Sequence, residues 1–414
     1  MSDCQTKKEQ PTRFILIGLN DDVNQSLSKE VLQQIHSARV FSGGIRHHEL
    51  IAHLLPQDAI WIDIVVPLEN VFKAYEGQKE IVVFASGDPL FFGFANTIKK
   101  RLPEAELQIF PFFNSLQVLA HRLQIGYDDM RVVSLTGRPW HEFDRALIEQ
   151  APKIGLLTDR SKTPQAIAQR MIEYGYTEYS MTVGEHLGHP TKERIRSIDL
   201  EDTQSLTFTH PNNILLVRKR PEEPSRRLFG IPDEQFDLLD GRSKMITKAP
   251  IRLVTLSTLS LYQRQSFWDV GFCTGSVSIE AKLQFPHLCV TSFEIRPEGE
   301  ALMKANSRRF GTPGIETVIG NFLEVDLSGY PQPDAVFIGG HGGALKAIIR
   351  RICEVLRPGG VIVFNAVSAE SKAQFLEAVE HCQLQTGPST QIRINEFNPI
   401  EILQATINTP LQTL

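Results

Sequence analysis

The chain has 414 residues, 42% of them hydrophobic and 22% charged, and 43 basic against 48 acidic residues give it a formal net charge of −5. This length predicts two or three domains with sizeable cores, and the composition excludes a disordered or collagen-like chain. The negative charge argues against a chain-wide nucleic-acid surface. Since no apolar run reaches the length of a membrane span and residues 1–11 lack the apolar stretch of a signal peptide, we expect a cytoplasmic protein without a membrane partner.

The first half of the chain alternates predicted strands and helices. An apolar run at 14–17 stops at Gly18, and a helix follows, with apolar residues spaced by three and four up to Ile35. Residues 81–85 are all apolar, as is typical of a strand buried in a parallel sheet. Further strands are predicted at 40–41, 107–110, 131–135, 153–157 and 213–217. This alternation predicts an α/β fold.

A charged, proline-containing segment at 218–227 follows the first half and predicts a linker between domains. Contact of its basic residues with an acidic ligand is the alternative. The alternation then restarts, with a predicted helix at 249–261 and predicted strands at 266–270, 289–293, 334–338 and 361–364. We therefore predict one domain at 12–220, a linker at 221–229 and a second domain at 230–414.

The second half carries a glycine turn followed by an acid at a fixed distance. Gly271 and Gly275 bracket the turn between a predicted strand and helix, and Glu294 lies 19 residues after Gly275, at the end of the next strand. A helix N-terminus and an acid about 20 residues on suit the phosphate or ribose part of a nucleotide. Tight packing alone would also explain the glycines. The G-x-C-x-G spacing departs from the dinucleotide fingerprint.

Leu356–Gly360, a turn before the strand at 361–364, completes a pattern that resembles class I S-adenosylmethionine methyltransferases. More narrowly, residues 230–400 resemble the decarboxylating precorrin methyltransferases of cobalamin biosynthesis. The motifs that carry this resemblance are Thr247-Lys248, Ile251-Arg252, 268–271, 275–280, Gly320-Asn321 and 333–340. It implies a Rossmann-like domain that binds S-adenosyl-L-methionine, methylates C15 of a corrin precursor and removes a carboxyl group. The implied cofactor contacts are Thr247, Gly271, Phe272, Cys273, Thr274, Gly275, Glu294, Asn321 and Phe322.

Two features of this half have alternative interpretations. Cys273 stands where the family has a glycine, and we interpret it as a small buried residue rather than a nucleophile, since methyl transfer from a sulfonium needs no covalent enzyme intermediate. Gly339, Gly340 and His341 are candidate substrate contacts, because a glycine-rich strand end can bind the carboxylates of a corrin precursor. A tight turn that only makes room is the alternative.

The first half carries a second motif, Ser86-Gly87-Asp88-Pro89, at the end of an apolar strand. Asp88 alone is also consistent with a turn or a helix cap. The motif resembles the S-G-D-P loop of the tetrapyrrole methylases, and so do Gly43-Gly44 with Arg46-His47, Ser134-Leu135 with Gly137-Arg138, and Gly184-Glu185 with Leu187-Gly188. The resemblance implies two α/β subdomains, C5 methylation, and cofactor contacts from Gly87, Asp88, Pro89 and Ser115. The first loop, 18–22, is shorter than the family's G-x-G-x-G-D, and Asn114 replaces the first of two serines.

The two resemblances together indicate a bifunctional precorrin methyltransferase acting on a small tetrapyrrole, which we expect to be a homo-oligomer without a nucleic-acid partner. The pairs His47-His48 and His186/His189 lack the spacing and third ligand of a metal site, so no metal is predicted. No catalytic acid or base is assigned. One alternative is that only the C-terminal half is catalytic and the other half is a docking or channelling module. An RNA methyltransferase is a second, but no basic, aromatic-rich stretch supports it.

Overall fold

The computed structural model describes residues 11–220, 229–242, 245–395 and 399–407. The chain divides into two compact units, one from 1–138, 152–167 and 179–217, the other from 139–151, 168–178 and 218–414. Most of the predicted linker, 221–228, lies outside the described residues, so the domain boundaries stay predictions. In the described part, no helix is both long and apolar enough to cross a membrane.

Sheet A, in the first unit, is parallel throughout. Its strands are β1 (Arg13–Leu19), β2 (Val40–Gly43), β3 (Ile60–Asp63), β4 (Glu80–Ser86) and β5 (Glu106–Phe110), in the order β3-β2-β4-β1-β5. The intervening and following helices are α1 (Lys29–Ser37), α2 (Ile45–Ile51), α3 (Leu68–Tyr75), α4 (Phe94–Arg101) and α5 (Ser115–Leu123). Residues 14–17 and 81–85 are buried, because two central strands are covered on both faces. The two apolar strands predicted there are confirmed.

Sheet B, also in the first unit, mixes strand directions. Its strands are β6 (Met130–Ser134), β7 (Lys153–Leu157), β8 (Tyr179–Glu185), β9 (Arg194–Ile198) and β10 (Asn212–Arg218), in the order β6-β7-β10-β8-β9. The helices α6 (His141–Ile148) and α7 (Pro164–Glu173) connect strands of this part of the chain. The β6–β7 pair is parallel, whereas β7–β10 and β8–β9 are antiparallel. The sequence predicted β6, β7 and β10 but did not predict β8 and β9.

Sheet C forms the centre of the second unit. Its strands are β11 (Ser266–Val270), β12 (Cys289–Glu294), β13 (Ile315–Ile319), β14 (Ala335–Ile338), β15 (Val361–Ala366), β16 (Gln385–Thr386), β17 (Thr390–Ile392) and β18 (Ile400–Thr406). The helices are α8 (Ala249–Leu259), α9 (Ser276–Gln284), α10 (Glu298–Arg309), α11 (Leu345–Cys353) and α12 (Ala369–His381). The order is β13-β12-β11-β14-β15-β18-β16, with β17 on β18.

The first five strands of sheet C are parallel, and β18 runs antiparallel to β15. The central side chain of Trp268 is fully buried, and its indole N–H donates to the carbonyl of Pro331 across 3.0 Å. Helix α8 ends two residues before the predicted end, because Ser260 adopts a left-handed conformation (φ 51°). This is the Rossmann-like α/β arrangement that the sequence predicts, in which ligands bind at the carboxyl ends of the parallel strands.

Candidate active sites

The glycine turn after β11 is built by close contact between two backbones. A Cβ atom on Gly271 would collide with the carbonyl oxygen of Gly340 and lie 2.6 Å from its nitrogen, and Gly271 has φ +76°. Only glycine therefore fits at this point, where the loops after β11 and β14 meet. Cys273 also lies in the left-handed region, with φ +51°. The position of the family's middle glycine thus retains a glycine-like backbone although it carries a thiol.

A cavity of about 760 Å³ opens at the carboxyl ends of β11, β12 and β14. The sequence-predicted residues that line it are Thr247, Gly271, Phe272, Cys273, Glu294, Asn321, Phe322, Gly339, Gly340 and His341. Thr274 and Gly275 do not belong to this lining. Thr274 is buried, and a Cβ atom on Gly275 would lie 2.5 Å from the sulfur of Met303, so these two residues pack against the core.

The nucleotide interpretation depends on Glu294. This acid lies at the end of β12, and only 3% of its surface is exposed. Its Oε2 accepts the N–H of Cys273 across 2.9 Å. Its Oε1 accepts the backbone N–H of Arg296 at 3.1 Å and the guanidinium of the same residue at 3.3 Å. A carboxylate oxygen can accept two hydrogen bonds, so Oε2 retains capacity for a ligand hydroxyl.

Asp269 is an acid in the same cavity that sequence reasoning did not select. It is 1% exposed, and its Oδ2 accepts the hydroxyl of Ser278 across 2.5 Å. Its Oδ1 is buried and has no hydrogen-bond partner among the described residues. Burial, opposed in part by the Ser278 hydrogen bonds, raises the pKa of Asp269 to about 7. An unpaired buried oxygen of this kind is costly unless a ligand satisfies it.

The Thr247-Lys248 and Ile251-Arg252 motifs have a structural role as well as a place at the cavity. The fully buried guanidinium of Arg252 donates to Glu280 at 2.5 Å and to the carbonyl of Thr247 at 2.6 Å, and it also bonds the carbonyl of Ile231. Lys248 pairs with Asp233 at 3.4 Å. Arg252 therefore anchors the segment that carries Thr247 to the cavity wall.

The glycine-rich end of β14 is an internally bonded turn. The N–H groups of Gly339 and Gly340 both donate to the carbonyl of Val270, and that of Gly343 donates to Nδ1 of His341 across 3.2 Å. These donors are taken, which favours the tight-turn interpretation over an anion site. Burial lowers the pKa of His341. The neutral ring accepts at Nδ1 and therefore carries its proton on Nε2.

Asn321 and Phe322 lie in the loop after β13. The amide oxygen of Asn321 accepts the N–H of Leu323 across 3.1 Å, and its nitrogen donates to Glu324 at 2.8 Å. Phe322 is buried edge-on against Phe293, with ring centroids 5.0 Å apart. The side chain of Asn321 thus shapes this loop, while its oxygen keeps a second lone pair for a ligand at the cavity.

Three loops meet at the carboxyl edge of sheet A, where the second cofactor contacts are predicted. Gly87 donates its N–H to the carbonyl of Leu19 at 2.8 Å and accepts from Phe112 at 3.2 Å. Its φ is +61°, and a Cβ atom there would lie 2.8 Å from the Cα of Asn114. A Cβ atom on Gly18 would collide with the carbonyl of Gly87. The single glycine retained in the first loop is therefore the one that this close approach requires.

Two predicted residues at this edge have local structural partners. The carboxylate of Asp88 accepts the N–H of Leu90 across 2.8 Å, which is the turn-forming role considered for it. Ser115 begins α5 and follows the N-cap Asn114, which exchanges 3.0 Å hydrogen bonds with Gln117. Asn114 caps a helix, as serine does, so its replacement of the family's first serine preserves the local structure.

Sheet A and the parallel strands of sheet C thus each present a glycine-dependent loop edge, and fold and site together are those of a methyltransferase with two α/β halves. Residues 19–204 match the tetrapyrrole (corrin/porphyrin) methylases, and residues 239–406 match the precorrin methyltransferase domain. A precorrin-6Y C(5,15)-methyltransferase (decarboxylating) of Sinorhizobium sp is 32% identical over 93% of this chain and 91% of the relative. The chain belongs to the family of precorrin-6Y C5,15-methyltransferases (decarboxylating), and the predicted resemblance is confirmed.

Two further proteins are similar to a part of this chain. A cobalt-precorrin-6B C(15)-methyltransferase (decarboxylating) of Salmonella typhimurium is 36% identical over 41% of this chain and 85% of its own length. The crystal structure of precorrin-6Y C5,15-methyltransferase from Geobacter metallireducens GS-15 is 32% identical, covers 43% of this chain and 97% of its own, and superposes with a TM-score of 0.39.

Proposed function

We propose that this chain transfers two methyl groups from S-adenosyl-L-methionine to precorrin-6B or its cobalt form. The N-terminal half methylates C5. The C-terminal half methylates C15 and decarboxylates the acetate side chain on C12. Family membership supports this assignment, since the Sinorhizobium relative, which covers 93% of this chain, carries C5,15 and decarboxylating in its name, whereas the Salmonella relative, which covers 41% of it, carries C15 and decarboxylating.

The observation that carries the proposal is the pair of buried acids at one cavity, Asp269 and Glu294. S-adenosylmethionine supplies, when bound, a methyl group made electrophilic by its sulfonium. Glu294 would accept ribose hydroxyls at Oε2, the role of an acid at the end of the second strand. The unpartnered Oδ1 of Asp269 would face the positively charged methionine part, which repays the cost of ionising a buried carboxylate. The residues present therefore fit this cofactor.

The other residues of the cavity position the substrate and exclude water. Apolar side chains, among them Phe272, Val277 and Phe337, line its wall, so a bound macrocycle is held away from solvent. His341 holds a proton on Nε2 at this wall and donates it as a hydrogen bond to a substrate carboxylate or carbonyl. The thiol of Cys273 is half-buried rather than fully buried as expected; partial burial raises its pKa, so it stays protonated and takes no part as a nucleophile.

Decarboxylation needs no dedicated base in this assignment. The bond between the C12 side-chain methylene and its carboxylate breaks, carbon dioxide leaves, and the electron pair passes into the protonated macrocycle. A proton then adds to the methylene carbon and leaves a methyl group. The enzyme's contribution is to hold the macrocycle in a dry site where the carboxylate is poorly solvated.

The experiment is incubation of the purified full chain with precorrin-6B and methyl-labelled S-adenosylmethionine, followed by NMR of the product. We expect label at C5 and C15 and loss of one carbon dioxide per turnover. Label at C15 alone would support the docking or channelling alternative for the N-terminal half. Absence of label at both carbons would contradict the proposal.

A further inference from the structure

Four polar side chains converge at the carboxyl edge of sheet A, and none of them is among the predicted cofactor contacts. We call them the Ser86 cluster: Asp21 from the loop after β1, Arg46 and His47 from α2, and Ser86 at the end of β4. The hydroxyl of Ser86 lies 2.9 Å from the guanidinium of Arg46 and 2.9 Å from Nε2 of His47. Arg46 also pairs with Asp21 at 3.2 Å. The cluster therefore adjoins the Gly87-Asp88-Pro89 loop directly.

The direction of the hydrogen bond between His47 and Ser86 follows from the other side of the imidazole. The backbone N–H of Gly44 donates to Nδ1 of His47 across 3.2 Å, so Nδ1 carries no proton. Burial, with a smaller contribution from the adjacent Arg46, lowers the pKa of His47 to about 4, and the ring is neutral at pH 7. The remaining proton is on Nε2, which donates to Ser86.

Ser86 therefore receives two hydrogen bonds, one from His47 and one from Arg46. A hydroxyl has two acceptor lone pairs and one proton, so both lone pairs are occupied. The described residues offer no acceptor for the proton, and Ser86 is exposed. Its hydroxyl is consequently fixed as a donor to whatever occupies the space in front of it.

Arg46 adds further hydrogen-bond donors beside the Ser86 hydroxyl. Its guanidinium has five N–H groups, and two of its nitrogens contact Asp21 and Ser86. The side chain is 41% exposed, so it reaches solvent while both contacts orient it. Asp21, 11% exposed and 3.7 Å from His186, offsets its charge. Recognition here depends on the direction of hydrogen bonds more than on net charge.

We propose that Ser86 and Arg46 form a carboxylate-binding site that orients the ligand for the C5 transfer. A carboxylate accepts hydrogen bonds on two oxygens and donates none, which matches a donor-only hydroxyl beside a guanidinium. This inference rests on the proposed function, which brings two sources of carboxylate to this edge: an acidic side chain of the tetrapyrrole and the methionine carboxylate of the cofactor. The tetrapyrrole is the source we expect, because it carries several carboxylates that must fix its register.

The test compares Ser86→Ala with Ser86→Thr, which retains the hydroxyl. The control is Ser37→Ala, which changes an exposed serine at the end of α1. For each full-length variant, KM for precorrin-6B and kcat are measured separately for C5 and C15 labelling. The dissociation constant of S-adenosylhomocysteine is measured by calorimetry. Losing a hydrogen bond to a charged group costs about tenfold or more in affinity.

We expect Ser86→Ala to raise the C5 KM for precorrin-6B about tenfold, while C15 labelling and S-adenosylhomocysteine binding stay unchanged and Ser86→Thr restores the C5 KM. Weaker S-adenosylhomocysteine binding instead would assign the carboxylate to the cofactor. Unchanged values of both would overturn the proposal. If the unmodified chain gives no C5 label, the proposed C5 methylation is wrong. Absorbance titration of precorrin-6B into each variant then still tests whether Ser86 contributes to binding.

Discussion

Glu294 and Cys273 are joined by a 2.9 Å hydrogen bond from the backbone N–H of the cysteine to the carboxylate. This bond links the end of β12 to the turn after β11, so the acid and the glycine turn form one unit. Cys273 makes this bond from a left-handed backbone conformation, with φ +51°. The acid thus helps to hold the turn in the conformation that borders the cavity.

Replacing Glu294 with glutamine should weaken cofactor binding at the second half. Glutamine can still accept the N–H of Cys273 through its amide oxygen, but it loses the charge and one acceptor. We expect S-adenosylhomocysteine to bind more weakly by about 1–3 kcal/mol at one of two sites in calorimetry of the full chain. Glu298→Gln, an exposed neighbour at the start of α10, is the control. Unchanged affinity in Glu294→Gln would contradict the ribose role.

The left-handed backbone of Cys273 makes a prediction about stability. Glycine there relieves a strain of about 1 kcal/mol but adds entropy to the unfolded chain, so Cys273→Gly should change the free energy of unfolding by less than about 1 kcal/mol. A β-branched residue cannot adopt this conformation without greater strain. Cys273→Val should therefore be less stable than Cys273→Gly by at least about 1 kcal/mol in urea unfolding. Equal stability of the two variants would count against a strained turn.

The sequence predicted the parts of the fold in which burial alone determines the pattern. The strands β4 and β11 lie in the interior of their sheets and are buried over most of their length, and the predicted ranges differ from the observed ones by at most a residue at either end. The strand β3 was not predicted although its first three residues are apolar; it lies at the edge of sheet A, where its four residues are exposed or half-buried. The strands β16 and β17, two and three residues long, are defined by pairing with β18 and carry little local signal.

Part of the site was equally beyond sequence reasoning. Asp269 stands in a recognised motif, but its raised pKa depends on burial and on Ser278, a residue of the following helix. The Ser86 cluster draws on three segments between residues 21 and 86, and its hydrogen-bond directions depend on the backbone of Gly44. The burial and the hydrogen bonds involved arise only when distant segments of the chain pack together. Residue types and their spacing in the sequence therefore do not predict them.

The raised pKa of Asp269 predicts how stability depends on pH. The group titrates at 3.8 in a model peptide and at about 7 when folded, so between these values the folded state holds a proton that the unfolded state has released. The free energy of unfolding contributed by this group should fall as pH rises from about 4 to 7 and level off above. Asp269→Asn should remove that slope, as measured by urea unfolding at successive pH values. A retained slope would show that Asp269 ionises normally.

His47 predicts a slope of the opposite sign. Its pKa falls from 6.5 to about 4 on folding, so between these values the unfolded state binds the extra proton. The contribution of His47 to the free energy of unfolding should rise with pH from about 4 to 6.5 and stay constant above. His47→Gln should flatten this rise, and the variant with Asp269→Asn should leave it in place. Equal pH profiles for His47→Gln and the unmodified chain would contradict the buried neutral imidazole.

The division of labour between the halves can be tested with two glycines. A Cβ atom on Gly340 meets nothing closer than 3.6 Å, and this exposed glycine borders the C-terminal cavity, so Gly340→Leu should project into the cavity beside the glycine turn and leave the backbone intact. Gly87→Ala places a Cβ atom 2.8 Å from the backbone of Asn114 and should displace the N-terminal loop. Gly329→Ala, where a Cβ atom meets nothing within 4 Å, is the control.

We expect Gly340→Leu to abolish carbon dioxide release and C15 labelling while C5 labelling continues at the unmodified rate. Gly87→Ala should do the reverse, with C5 labelling reduced about a hundredfold, the effect of misplacing a reacting group by about 1 Å. Circular dichroism of each variant checks that it folds. Full C5 labelling in Gly87→Ala would show that the N-terminal loop does not serve the C5 transfer, and the C-terminal cavity would then have to catalyse both. Loss of both labels from either substitution would mean that the two halves act only together, because neither change touches the other half's loop.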